Sequence, residues 1–217
     1  MIRLIQDLDF AHRRRWPRRP VSHASRAWLL ASSASLRLLL IHRLVYWLHA
    51  NRSPGGGGWR AGFWRVVKLT LALPKWVCQV SAKSEISRDC DLEGGVCFSD
   101  QGFFIFGPRK AGSGTVVGTR VTFGKSHVDD GIPEVGRNVW IGSDCVVYGA
   151  IRIGDGATLL PGTVLTKSIP AGVMMQGNPA QLVLRNFDNA ELRAQQEVDV
   201  TQYVKNRGSS ECSRMST

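Results

Sequence analysis

Between residues 135 and 171 an apolar residue recurs at every sixth position. Val135, Ile141, Val147, Ile153, Leu159 and Leu165 mark one slot. Val139, Cys145, Ile151, Ala157, Thr163 and Ile169 mark a second, four places later and mostly small or branched. Gly, Asn and Asp stand between them. This hexad is the signature of a parallel β-helix: three hexads close one triangular coil, both apolar slots point inward, and Gly, Asn and Asp suit the corners. The pattern starts earlier, at Ile86, Leu92, Phe98 and Phe104, slips by one residue around 107–110, and resumes at Ala111, Val117 and Phe123. Phe123 and Val135 lie two hexads apart, so the slot between them falls on Asp129. A carboxylate does not face a dry core unpaired, so residues 125–133 are expected to leave the coil as a loop and rejoin it. About thirteen hexads predict roughly four coils.

Outside the hexads the pattern changes. Residues 26–50 are apolar on most sides, interrupted by Arg37, His42 and Arg43, and predict a helix. The interruptions argue against a membrane span, which needs ~20 apolar residues with few charges. At 53–58 a serine and a proline followed by a run of glycines break the chain, and 62–73 predict a second helix with Arg65, Lys68 and Lys75 on its polar side. Residues 1–25, basic and punctuated by prolines, are expected to form an irregular arm. After Arg185 the chain turns polar, with a short helix near 188–197 and a Ser-rich disordered end at 208–217. The pattern therefore divides the chain into a helical region, 1–83, a repeat domain, 84–185, and a polar tail, 186–217. The fold class is all-β, a parallel β-helix of hexapeptide repeats with an N-terminal helical extension.

Charge sharpens this division. The formal net charge is +11, and residues 1–83 carry it: 15 Lys/Arg against 2 Asp/Glu, leaving the remainder slightly acidic. Six of the seven tryptophans lie in the same third. Trp and Arg on apolar helices suit either a membrane-interface anchor or a helical cap on the β-helix or a neighbouring subunit. No nucleic-acid-binding motif accompanies the charge. The five cysteines show no CxxC spacing, and Cys90 and Cys145 fall on inward slots; they read as small buried hydrophobes of a reducing compartment. No apolar leader segment is evident near the start. A cytoplasmic location, peripheral on the inner membrane, is the expectation.

The segment 138–183, with its Asn-Val-Trp-Ile-Gly run, Thr166-Lys167 and Gly-Asn-Pro-Ala at 177–180, resembles the C-terminal coils of bacterial hexapeptide-repeat acetyltransferases. The similarity is greatest to the sugar and exopolysaccharide O-acetyltransferases, with the serine acetyltransferases as near cousins; it covers about residues 84–185. The resemblance implies a left-handed β-helix, a homotrimer with sites in the subunit clefts, acetyl-CoA as donor and a hydroxyl acceptor. The hexad alone also allows a metal site or a plain structural prism.

Acetyl transfer to an alcohol requires a base for the hydroxyl proton and donors for the developing oxyanion. Of five histidines only His127 lies in the repeat domain, in the loop Lys125–Asp130. By resemblance it is the base. Strict register would instead place it inward, as a core histidine. Asp129 or Asp130 is placed to orient the imidazole. Where serine acetyltransferases carry a second histidine this chain reads Ser99-Asp100-Gln101-Gly102-Phe103, which counts against serine, and Asp100 becomes a candidate to bind an acceptor hydroxyl. For the donor the resemblance implies Gly142, Ser143, Pro161, Thr166, Lys167 and Arg185, with the N–H of Gly142 or Ser143 as oxyanion donor and Arg152 as a further phosphate contact. Pro161 stands where alanine is usual and lacks an N–H; Gln181 stands where the galactoside enzymes place an arginine. One histidine per repeat domain and no His/Cys ligand spacing argue against a metal.

Overall fold

Each hexad folds as a strand of two or three residues followed by a turn. In the computed structural model residues 2–50, 76, 83–100, 102–125 and 131–194 are described. Three helices come first: α1 (Ile2–Arg15), α2 (His23–Ser32) and α3 (Ala34–Ala50). The first coil follows, β1 (Glu85–Ile86), β2 (Asp91–Leu92) and β3 (Cys97–Phe98), then the second, β4 (Ile105–Phe106), β5 (Lys110–Ala111) and β6 (Val116–Val117). The third holds β7 (Thr122–Gly124), β8 (Glu134–Val135) and β9 (Trp140–Ile141), and the fourth β10 (Val146–Tyr148), β11 (Arg152–Ile153) and β12 (Thr158–Leu159). A fifth is built from β13 (Val164–Leu165), a bridge at Ile169 and β14 (Met174–Gln176). An antiparallel strand, β15 (Gln181–Leu184), and a short helix, α4 (Ala190–Ala194), complete the described chain.

Every third strand stacks in parallel. One sheet orders β1-β4-β7-β10-β13, a second β2-β5-β8-β11, and a third β3-β6-β9-β12-β14 with β15 at its edge. Both predicted slots point inward. Val139, Ile141, Cys145, Val147, Ile153, Ala157 and Leu159 are fully buried; each large aliphatic among them contributes roughly 1.5–3 kcal/mol. The left-handed backbone that the corners require is taken by Asn138, Asp144, Gly156 and Gly162, with φ of 55°, 61°, 67° and 75°. Burial pushes the thiols of Cys90 and Cys145 up to about 12, so both are inert apolar filling.

The first two coils depart from the hexad in a way the sequence misplaces. Ile86 pairs in register with Phe106, not Phe104, so two extra residues enter between Phe98 and β4 and one is lost before Ala111. Phe104 is still buried, in the second slot, stacked on Phe98 at 4.6 Å between ring centroids; Phe106 packs edge-on against Phe98 and Phe123 at 5.0 and 4.7 Å. Because both Phe104 and Phe106 are apolar, either one satisfies a hexad count, and the sequence alone does not choose between them. The six-residue excess between β7 and β8 falls in 125–131, where a loop is expected; residues 126–130 lie outside the described part.

The helical region differs more. Residues 2–15 are helical rather than an irregular arm, because Leu4, Leu8 and Ala11 recur on one face and pack on the core of the first coil. The single helix expected over 26–50 is two, bent by 100°. Ser33 is the break: its backbone is extended, its N–H donates to Leu29 O, and its hydroxyl accepts from Leu36 N at 3.1 Å, capping α3. The helices form a cap whose Leu8, Leu29, Leu36 and Leu39 continue the β-helix core. A buried ion pair fastens it. Asp7, fully buried, meets Arg43 at 3.1 Å and accepts the N–H groups of Gly95 and Val96 at 2.7 and 3.1 Å; Arg43 also donates to Leu92 O and Glu93 O. Burial outweighs these partners and raises the Asp7 carboxyl to about 6. Among the described residues no single helix is long and apolar enough to cross a membrane, although α2 and α3 together have the length and composition of a bent span. The helix expected over 62–73 and the tail beyond 194 lie outside the described residues.

Candidate active site

The three outer faces of the prism differ. On the second sheet Glu93 is held by Arg137 at 2.9 Å, Lys110 at 3.2 Å and Ser113 N at 3.1 Å, which keeps its carboxyl down near 2. On the first sheet Ile105, Thr122, Val146 and Val164 stand in register across four strands, with Tyr148 beside them. Ile105 and Tyr148 are exposed. On the third sheet Val116, Trp140 and Met174 are covered by Phe10 of α1, Phe187 and Leu192 of α4. The Trp of the Asn-Val-Trp-Ile-Gly run thus points outward into a second apolar cluster that holds the helices against the coils.

Where this covered sheet turns its corner, a cavity of about 460 Å³ opens between the coils and α1–α3. Four of the nine expected site residues line it: Asp100, Gly142, Ser143 and Pro161. Their proximity follows from the coil geometry. Ser99–Asp100, Gly118–Thr119, Gly142–Ser143 and Pro161 are the same corner in four successive turns. Gly142 has to be glycine, since a Cβ there would sit 2.8 Å from Pro161 N and 2.9 Å from Leu159 O. The corner is therefore a smooth backbone wall.

The details alter the expected roles. The Gly142 N–H donates to Leu159 O at 2.8 Å, which removes it as an oxyanion donor. The Ser143 N–H takes no part in that ladder among the described residues, and its hydroxyl accepts from Thr119 Oγ1 at 3.0 Å. The Asp100 carboxylate accepts from Ser33 Oγ at 2.7 Å and Ser35 N at 3.0 Å. It ties the first coil to the start of α3 while exposing one flank to the cavity. Thr166, half-buried, and the exposed Lys167 lie one coil further on; Arg185 is exposed just past β15. None of these three lines the cavity. Arg152 is on the second sheet, beside Glu93, Lys110 and Arg137, away from this corner. His127 and Asp129 lie outside the described residues. His12 and His42 are buried in the cap; the His42 ring N–H donates to Cys90 O at 3.2 Å. Among the described residues no cluster of three His, Cys, Asp or Glu could hold a metal ion.

Sequence reasoning misses Arg14, Arg15 and Trp140, which also line the cavity. The arginines lie in a segment expected to be irregular. The register does signal Trp140, since it falls on an outward position between two inward slots.

Residues 133–167 match the model of the bacterial transferase hexapeptide, six repeats. Over 63 residues the chain is 34% identical to a chloramphenicol acetyltransferase of Agrobacterium fabrum, covering 29% of this chain and 30% of that protein. Over 49 residues it is 39% identical to the galactoside O-acetyltransferase of Escherichia coli, covering 23% and 24%. The matched stretches thus span under a third of these relatives. Among solved structures, the serine acetyltransferase of Neisseria gonorrhoeae in complex with serine superposes with a TM-score of 0.64 at 20% identity, over 84% of this chain and 68% of that one. That likeness carries the fold, including the helices before the coils.

Proposed function

We propose that the protein is an acetyl-CoA-dependent O-acetyltransferase of the hexapeptide-repeat type, with a left-handed coil. The observation that carries this is the position of the family match. Residues 133–167 are the regular coils whose corner supplies Gly142, Ser143 and Pro161 to the cavity. Relatives named for chloramphenicol, a galactoside and serine differ in acceptor and share acetyl transfer. The shared coils therefore speak for the donor, and the acceptor is set by what surrounds them.

In this reading acetyl-CoA lies along the corner, with Thr166, Lys167 and Arg185 toward its phosphates. His127 takes the proton of the acceptor hydroxyl as its oxygen attacks the thioester carbonyl, and the Ser143 N–H meets the developing oxyanion. Thiol departure leaves the acetyl ester. The acceptor is a hydroxyl of a sugar or polysaccharide precursor. Serine is the second reading, favoured by the superposition that extends through the helical region and disfavoured by Gln101–Gly102 where a histidine would stand. The strip Ile105-Thr122-Val146-Val164, which meets a charge only at Glu85 on β1, is the face on which copies would meet as a homotrimer, because the second face carries Glu93, Lys110 and Arg137 and the third is covered. The helical cap, rich in Arg and Trp, would rest peripherally on the inner membrane from the cytoplasmic side.

The test is acetyl-CoA consumption against free serine, simple sugars, nucleotide sugars and lipid-linked saccharides. Thiol release dependent on one sugar acceptor and absent with serine supports the first reading; turnover with serine replaces it by the second. No turnover with any acceptor, and no binding of CoA, returns the fold to a scaffold. Sedimentation equilibrium checks the trimer, and a monomer at micromolar concentration refutes it.

A further inference from the structure

One end of the cavity has a charge that acetyl transfer does not by itself require. The last turn of α1 carries Arg13, Arg14 and Arg15, and Arg14 and Arg15 line the cavity beside Asp100 and Cys97. Asp100 is the only acid among the described lining residues. Its carboxylate is already answered by the hydroxyl of Ser33 and the N–H of Ser35 at the positive end of α3. Arg15 is set in place by stacking. Its guanidinium lies 5.8 Å from the ring centroid of Trp16 and 5.1 Å from that of Trp28, and the two rings are themselves 5.2 Å apart. A cation–π contact fixes the plane of a guanidinium without consuming its N–H donors. Arg14 enters from the adjacent position, with Nη1 donating to Cys97 Sγ at 3.2 Å. Arg14 and Arg15, the latter flanked by two indoles, line a groove whose one carboxylate among the described residues is occupied.

We infer that this end of the cavity binds a phosphate or diphosphate group carried by the acceptor, so that the substrate class is a phosphorylated or diphosphate-linked sugar rather than a free one. The inference rests on the acetyltransferase reading and names the acceptor for it. Planar guanidinium groups bind phosphate oxygens in pairs, and this geometry is selective as well as strong. The residues assigned to the donor's phosphates, Lys167 and Arg185, are absent from this lining. The two anion sites are therefore separate, one on the last coil and one where the cap meets the first.

The test uses the full chain and inorganic pyrophosphate as probe, followed by calorimetry and by tryptophan fluorescence, to which Trp16, Trp28 and Trp140 report directly. Saturable binding is expected. Arg15→Gln, at an exposed position, should weaken it about tenfold, and Arg14→Gln by a similar factor. With CoA saturating the donor's own phosphate site, the remaining pyrophosphate binding should not respond to Lys167→Gln. Absence of binding, or binding that neither arginine variant moves, overturns the inference. Displacement by CoA together with weakening by Lys167→Gln gives the arginines to the donor and also overturns it, as does displacement by millimolar L-serine. The two readings fail separately. A chain that binds pyrophosphate but never consumes acetyl-CoA loses the acetyltransferase assignment. One that acetylates a free sugar or serine and has no pyrophosphate site loses only the anionic acceptor.

Discussion

The last coils and the first are built from the same hexad and behave as different materials. Between β9 and β13 one turn takes eighteen residues, as in Trp140↔Thr158 and Val146↔Val164, and the closing turn takes sixteen, as in Thr158↔Met174. The interior there is aliphatic and small, and the corners are Asn, Asp or Gly. In the first two coils the turns are uneven, the interior is a cluster of Phe98, Phe104 and Phe106 that meets Phe123 of the third, and the end is closed by helices. Regular coils can offer a ligand only what repeats, namely backbone edges and a narrow wall. That suits a donor common to many enzymes. The irregular end supplies what does not repeat: Asp100 from an inserted corner and Arg14 and Arg15 from a helix. An acceptor specific to one enzyme has to be read there.

This division can be broken experimentally. The largest effect is expected at His127, which lies between the two parts in the sequence. His127→Ala should lower kcat/KM by ~10²–10⁴ without changing the melting temperature; an unchanged rate removes His127 as the base. Next come the two interiors. Phe106→Ala, at a fully buried ring, should cost about 3–5 kcal/mol in denaturant unfolding, and Leu159→Ala in the regular coils about 2–5 kcal/mol. If Phe106→Ala unfolds only the cap, seen as a separate first transition, the two ends are independent units and the shared core is refuted.

The tie between them should be sensitive to pH. The Asp7 carboxyl lies near 6 in the folded chain, above its ordinary 3.8. A raised acid binds its proton more tightly when folded, so its contribution is complete below pH 4 and is lost as pH rises through 6. The shift corresponds to a decline on the order of 2–3 kcal/mol. Asp7→Asn should remove that slope between pH 4 and 7, and a slope that persists in the variant assigns it to another group. The smallest effect is expected at the donor end: Lys167→Gln should raise KM for acetyl-CoA about three- to tenfold at unchanged kcat, the mark of a contact equal in ground and transition states.

The two parts were also unequally legible. Where side chains point inward with strict period, the register is visible in the letters, down to Cys90 and Cys145 as core; most of the loop expected over 125–133 lies outside the described residues. Reading failed where two apolar residues compete for one slot, as with Phe104 and Phe106. It failed again where a local signal met a tertiary one. Arginines and prolines over 12–20 read as an arm, yet Leu4, Leu8 and Ala11 form a helical stripe that needs the first coil to bury it. The break at Ser33 belongs to the same class, because its hydroxyl is drawn to Asp100, 67 positions away. Asp100, Gly142, Ser143 and Pro161 are legible only through the family resemblance; the coil geometry then explains why they meet at one corner. The opposite wall is not legible, since nothing periodic announces it.

One detail at the far end bears on how such a prism stays finite. Parallel strands stacked coil upon coil leave, at each end, a row of unsatisfied N–H and C=O groups that another chain could extend. After β14 the chain reverses, and β15 pairs with it antiparallel. In that sheet the outermost backbone now runs against the direction a further parallel coil would need. At the opposite end α1 and α3 lie across the first strands. A fold that is by construction an open-ended stack is thus given stoppers within its own sequence, and the chain adds strands to itself without becoming a template for fibres.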